Sequence, residues 1–334
     1  MKMLRARSVA TAAAVIAALV GRTAWGAPVV MRVSHEKEPT SWVTTLMGEW
    51  ARAVDADTKG AVHVKVYPNS TAYQPSQNFS AVRSGKIEAA MTEGNDFAEI
   101  VPSAGVLLRP YAFQNVQVMN RFLRSSIMQH IDRDAEARGV HAIGWIGIAF
   151  ETAFGTGTGR LVYQPQDFSG VSMRSISSFL NPGFSALGAH SVQMEGLTRV
   201  LNAVTSGELG MLMTDVNSDL KFIGSVNTVS ATPMERVFDI LYVNRQWWAS
   251  LSPKLQRQIE ATTRRFEALS ITRGMWATKG YEDALRSQGV AIRVTTSAED
   301  AALAHALDPT FDAAFKRRLG PEASQLLDEL TRLQ

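Results

Sequence analysis

The 334-residue chain contains no cysteine, which excludes disulfide scaffolding, thiolate metal sites and thiol nucleophiles. Histidine is scarce. The six stand at His35, His63, His130, His141, His190 and His305, and none forms the HxxxH pair of a metal-binding helix. A nucleophile elbow is missing too. In Gly183-Phe184-Ser185-Ala186-Leu187 a leucine stands where the second glycine belongs. The loop Gly155-Thr156-Gly157-Thr158-Gly159 lacks both the Walker lysine and the dinucleotide spacing, and reads as a flexible connection. Beyond the N-terminus no apolar run reaches the roughly eighteen residues of a membrane helix. There is no internal repeat and no low-complexity tract.

What remains is 46% hydrophobic and 19% charged, the balance of a globular chain long enough for two domains. The N-terminus reads as a secretory signal peptide. Lys2, Arg5 and Arg7 precede an apolar run from Val9 to Val20, and Ala24-Trp25-Gly26 has the small-x-small form of a cleavage site. Cleavage is expected after Gly26 or Ala27, and the mature chain in a bacterial periplasm. The leader also explains the net charge of +3. Four of the 34 basic side chains, Lys2, Arg5, Arg7 and Arg22, lie in residues 1–26 with no acid, which leaves 30 basic against 31 acidic. A near-neutral mature chain removes the main support for nucleic-acid binding.

Strand-like and helix-like patterns alternate along the mature chain. Val29–Val33 and Val62–Tyr67 read as strands, and Val43, Leu46, Met47, Trp50 and Val54 recur at helical spacing between them. A helix from Pro75 to Gly85 and a strand at Ile87–Met91 continue a βαβ series, which predicts a largely parallel sheet. Val118–Arg138 reads as helical and Val140–Ala149 as a strand. A second α/β series follows a domain change near Ala149–Thr156. From Pro253 to Gly289, Leu255, Ile259, Thr262, Phe266, Leu269, Met275, Trp276 and Leu285 hold an approximate helical period uninterrupted by proline. About 35 residues at 1.5 Å each reach roughly 50 Å, long enough to cross two domains.

One short segment carries the functional argument. Gly170-Val171-Ser172-Met173-Arg174-Ser175 alternates as a half-buried strand and delivers a guanidinium to its C-terminal end. Ligands of open α/β sheets bind outside the carboxyl ends of strands, and arginine is the natural fork for a carboxylate.

The order of these segments resembles the solute-binding subunit of tripartite ATP-independent periplasmic (TRAP) transporters, over nearly all of the mature chain. Val64-Lys65-Val66-Tyr67-Pro68-Asn69-Ser70 resembles that family's strand ending in a Pro-Asn turn. Ala81-Val82-Arg83-Ser84-Gly85-Lys86-Ile87-Glu88 resembles its helix exit, and Arg109-Pro110-Tyr111-Ala112-Phe113 its Pro-Phe-x-Phe segment. Pro165-Gln166-Asp167-Phe168-Ser169-Gly170-Val171-Ser172-Met173-Arg174 resembles its most specific motif. The resemblance implies an α/β, two-domain periplasmic-binding-protein fold with an interdomain cleft and a long domain-spanning helix. The first domain is expected to comprise residues 28–150 and 230–275, the second 151–229 and 276–334.

The resemblance also implies that Arg174 holds a ligand carboxylate, that hinge closure captures a small organic acid, and that the partners are the membrane permease subunits. No cofactor, no metal and no catalysis are expected, and a monomer, with a dimer as the alternative. Thr214 stands where the family often has asparagine, Phe154 and its neighbours where many members have a second arginine, and Arg199 where glutamate is common. These departures argue against copying a C4-dicarboxylate or sialic-acid ligand. A ligand with one carboxylate and an apolar or aromatic body is expected, walled by Thr214, Phe154, Phe179 and Met213. Glu93 and Asn95, with Asp96, follow a first-domain strand and are expected to supply contacts from that side. The other readings are an exported two-lobed hydrolase and a binding protein that serves a sensor.

Overall fold

The computed structural model describes residues 28–194 and 197–334, apart from the side chains of residues 197, 219 and 220. The signal peptide expected at 1–26 lies outside the described residues.

Among the described residues eleven strands form two sheets. They are β1 (Val29–Ser34), β2 (Val62–Tyr67), β3 (Ala89–Glu93), β4 (Val140–Ala149), β5 (Thr152–Thr156), β6 (Ser172–Ser175), β7 (His190–Gln193), β8 (Met211–Asp215), β9 (Thr228–Thr232), β10 (Val237–Asn244) and β11 (Ala291–Val294). The first sheet has the order β2-β1-β3-β10-β4, the second β11-β9-β5-β8-β6-β7. The parallel pairs expected from the βαβ pattern are present in β1–β2 and β1–β3. Each sheet also holds one reversed strand: β10 runs antiparallel to β3 and β4, and β5 to β8 and β9. These are the strands entered at the first two changes of sheet.

Local sequence explains the elements. In β2, Val62 and Val64 point inward and His63 and Lys65 outward. The helix Trp42–Asp57 starts where the Ser41 side chain accepts the Thr44 N–H, and it buries Val43, Leu46, Met47, Trp50 and Val54 as one stripe. The expected helix over 118–138 is two helices, Val116–Phe122 and Ser126–Ala137. Gly155 and Thr156, read as part of a flexible loop, instead end β5 and are buried there.

The chain crosses between sheets three times, from β4 to β5, from β9 to β10 and from β10 to β11, and the first two crossings lie side by side. Ala149 is in register with Val237 in the first sheet, and Thr152 with Thr232 in the second. Between them the Thr152 hydroxyl donates to the Glu235 carbonyl at 2.9 Å and accepts the Glu235 N–H at 3.0 Å.

The helix Pro253–Ser287 spans both lobes, as its unbroken period predicts. Against the first lobe, Thr263 accepts from the Trp50 indole at 3.0 Å, and Glu267 and Ser270 accept the Trp145 and Gly147 N–H groups of edge strand β4. Such acceptors close a strand edge that otherwise stays unpaired. Further along, Leu285 is buried in the second-lobe core with Leu212, Val216 and Val229. Met275 and Trp276, counted on the inward stripe, are exposed instead. The helix faces the crossover with Gly274, which lies against Phe150.

The C-terminal segment departs from the expected division. Helix Glu322–Leu333, assigned with 276–334 to the second domain, packs on first-lobe helices: Arg121 donates to the Leu333 carbonyl at 2.6 Å, and His130 meets Glu322 at 3.2 Å. Its stripe of Ala323, Leu326 and Leu330 is buried in the same core as Val118, Phe122 and Ile131.

Candidate functional site

The cleft between the lobes has a volume of 670 Å³, within the range of small-molecule sites. The first lobe contributes Glu36, Lys37, Glu38, Glu93, Asn95 and Asp96, from the ends of β1 and β3. The second contributes Arg174, Asp215, Asn217, Ser218 and Lys221, from the ends of β6 and β8 and the turns after them. Both groups stand at strand carboxyl ends, where the topology leaves room for a ligand.

Arg174 is half-buried at the end of β6. Its Nε donates to the Met194 carbonyl at 3.1 Å and its Nη1 to the Met213 carbonyl at 2.9 Å. Those two bonds fix the guanidinium plane toward the cleft. A second recess of 190 Å³ adjoins it, lined by Arg174, Thr214, Leu212, Val200 and Phe222.

Of the expected site residues, the structure brings Arg174, Glu93 and Asn95 to the cleft and Thr214 to the adjoining recess. Three others are core. Phe154 is buried in an aromatic cluster with Phe168 and Phe184, at ring distances of 5.2 and 6.0 Å. Phe179 packs on Phe311, Phe315 and Gly105. The Met213 side chain is fully buried, and only its carbonyl serves Arg174. The wall expected from Phe154, Phe179 and Met213 is therefore absent, and the aromatic side chains at the cleft are Trp42 and Tyr281 instead.

Sequence reasoning missed the charged centre of the first lobe. Lys37 lies 2.5 Å from Glu93, 3.1 Å from Glu36 and 3.6 Å from Asp239. Burial works against the Lys37 ammonium, but the three carboxylates outweigh it and hold its pKa well above the usual lysine value. Burial likewise opposes the Glu93 carboxylate, yet Lys37, with Arg174 across the cleft, brings its pKa below the ordinary value. Burial raises Asp239 well above the carboxylate range and pushes Glu235 up to about 8. A legible signal existed for Lys37. His35-Glu36-Lys37-Glu38 follows β1 directly, so it stands at a strand's carboxyl end as Arg174 does. Glu235 and Asp239 carry no such local signal.

The lobes touch across this cleft. Asn95 Nδ2 donates to the Ile176 carbonyl at 3.0 Å, and Lys221 pairs with Glu38 at 2.9 Å.

The family model described as bacterial extracellular solute-binding protein, family 7 (DctP) matches residues 33–318, and the chain belongs to that family. A C4-dicarboxylate-binding periplasmic protein DctP from Rhodobacter capsulatus is 24% identical over 74% of this chain and 77% of its own length. An uncharacterised Haemophilus influenzae protein is 26% identical over 60% of this chain, and the chain spans 62% of that relative's length. In structure the chain is similar to a TRAP periplasmic solute-binding protein from Desulfovibrio salexigens with bound orotic acid. The TM-score is 0.83 at 19% identity, covering 91% of this chain and 98% of that one. The resemblance read from the motifs is thus the family, and the two-lobed α/β architecture is that of its solved members.

Proposed function

We propose that this chain captures a small organic acid between its lobes and presents it to the membrane subunits of a TRAP transporter. The observation that carries the reading is Arg174: a guanidinium pinned on two carbonyls at a strand end, facing a cleft walled by both lobes. A buried two-toothed bond to a carboxylate contributes roughly 1.5–3 kcal/mol. The ligands named for relatives, C4-dicarboxylates and orotic acid, share a carboxylate.

Capture proceeds by closure. The lobes pivot at the paired crossings around Phe150 and Glu235, and the ligand favours the closed state by touching both lobes there. Residues 1–26 serve as an export leader that delivers the chain to the periplasm. The protein works as a monomer, turns over no substrate and hydrolyses no ATP. The family and its solved neighbours are solute-binding proteins, which supports this reading over an exported hydrolase.

The test is a thermal-shift screen of the mature protein against mono- and dicarboxylic acids and sugar acids. A ligand at a hundred times its Kd adds about 2.7 kcal/mol of stability, a shift of a few degrees. Stabilising acids are expected to lose their effect in Arg174→Ala, with the circular dichroism of the fold unchanged. Acids that stabilise Arg174→Ala as well as the parent would sink the reading.

A further inference from the structure

Where the cleft meets the β9–β10 crossover, a recess of 20 Å³ opens beside Glu93 and Asn95, and Glu235 and Ile176 help to wall it. Leu107, Leu108, Val237 and Phe238 make most of its wall apolar, and a few acceptors stand among them. Glu235 is 3% exposed, and neither of its carboxylate oxygens has a hydrogen-bond partner among the described residues. Asn95 donates its Nδ2 to Ile176, while its Oδ1 is buried and unpartnered. Arg236, the cation on this wall, turns its guanidinium away to the carbonyls of Phe113, Gln114 and Phe150.

Buried polar atoms without partners are costly, and Glu235 can become a carboxylate there only if a cation comes to rest beside it. The recess holds one water-sized group, and an ammonium group has that size. Among the described residues no three His, Asp or Glu side chains are grouped to hold a metal ion. The field of the larger cleft favours the same charge. Five acidic side chains line it against three basic ones, and both lysines are already ion-paired. A second ligand carboxylate would find no unpaired lysine there. Glu93 links the two ends, because its charge acts on Glu235 and is itself stabilised by Arg174.

We propose that the recess at Glu235 is an ammonium subsite, so that the ligand is an amino-carboxylate with its carboxylate on Arg174 and its cationic nitrogen against Glu235, Asn95 Oδ1 and Glu93. This rests on the carboxylate reading above and narrows its substrate class.

The test is calorimetric titration of the mature protein with matched probes: β-alanine and propanoate, γ-aminobutyrate and butanoate, δ-aminovalerate and pentanoate, with succinate and glutarate as dicarboxylates. At least one amino acid is expected to bind about tenfold or more tighter than its deaminated parent and than either dicarboxylate. Glu235→Gln is expected to erase that preference, read as the ratio of each amino acid's Kd to that of its parent acid, whatever happens to the absolute affinities. Asn95→Ala also removes the Ile176 contact, so it weakens all acids but should reduce the amino-acid preference further. A dicarboxylate or parent acid that binds as tightly overturns the subsite, as does a preference that survives both variants, or a series with no amino-acid binder. Acid binding that survives Arg174→Ala overturns the carboxylate reading instead, so the two failures are distinguishable.

Discussion

Asn95, just past the end of β3, donates its side-chain amide to the backbone carbonyl of Ile176, just past the end of β6, at 3.0 Å across the cleft. Each residue sits at the carboxyl end of a strand in a different sheet. The hydrogen bond therefore ties the two ligand-facing rims together, and what loosens it or its neighbours acts on the equilibrium between open and closed lobes.

The Lys221–Glu38 pair crosses the same gap at 2.9 Å, but its side chains are 38% and 54% exposed. Exposed pairs contribute under about 1 kcal/mol. Lys221→Ala and Glu38→Ala are each expected to weaken ligand binding by no more than about fivefold, with the double variant no worse than the weaker single one. Titration of all three variants checks this. A loss of a hundredfold would show that Lys221 contacts the ligand itself.

Two glycines of the spanning helix make a matched contrast. A Cβ on Gly274 would lie 2.2 Å from the Phe150 ring, and one on Gly280 would meet nothing within 4 Å. Gly274→Ala must displace the crossover and is expected to cost about 1–3 kcal/mol. Gly280→Ala removes only backbone entropy and is expected to stabilise by about 0.5–1 kcal/mol. Urea unfolding of both variants decides. Equal effects would mean that the helix does not approach the hinge so closely.

Glu235 gives a pH dependence with a definite sign. Burial, with the Glu93 charge, raises its pKa to about 8 in the folded chain. The folded state therefore holds a proton that the unfolded state releases near pH 4.5. Stability from this group is full below that value, falls as pH rises, and is lost once pH passes about 8. Each pH unit between those two values corresponds to about 1.4 kcal/mol, so the ligand-free chain should lose at most about 5 kcal/mol from this source. Glu235→Gln should be nearly as stable as the parent at pH 5 and distinctly more stable at pH 9. Parallel unfolding curves for the two proteins across that range would refute it.

Much of this protein was legible residue by residue. Period-two alternation marked β2, the Ser41 cap and apolar stripe marked the helix after β1, and an unbroken helical period marked Pro253–Ser287. Arg174 could be picked out because strand pattern and charge coincide at one place. Lys37 also follows the end of a strand, but it stands beyond the alternating residues, among charges of both signs.

Local pattern could not say which way an aromatic on a strand faces. Phe154 belongs to the core because Phe168 and Phe184 cover that side of β5, and those partners arrive from elsewhere in the chain. Nor could it assemble the charged centre. Lys37 and Asp239 are about two hundred residues apart and meet only because β10 pairs with β3 rather than with a neighbour in sequence. Periodicity and capping are short-range properties, so the elements, the order of the lobes and the arginine at the end of β6 were written in the chain's own pattern. Strand pairing, the burial of Glu235 and the polarity of the cleft depend on contacts between distant segments, and folding had to bring those together before the site existed.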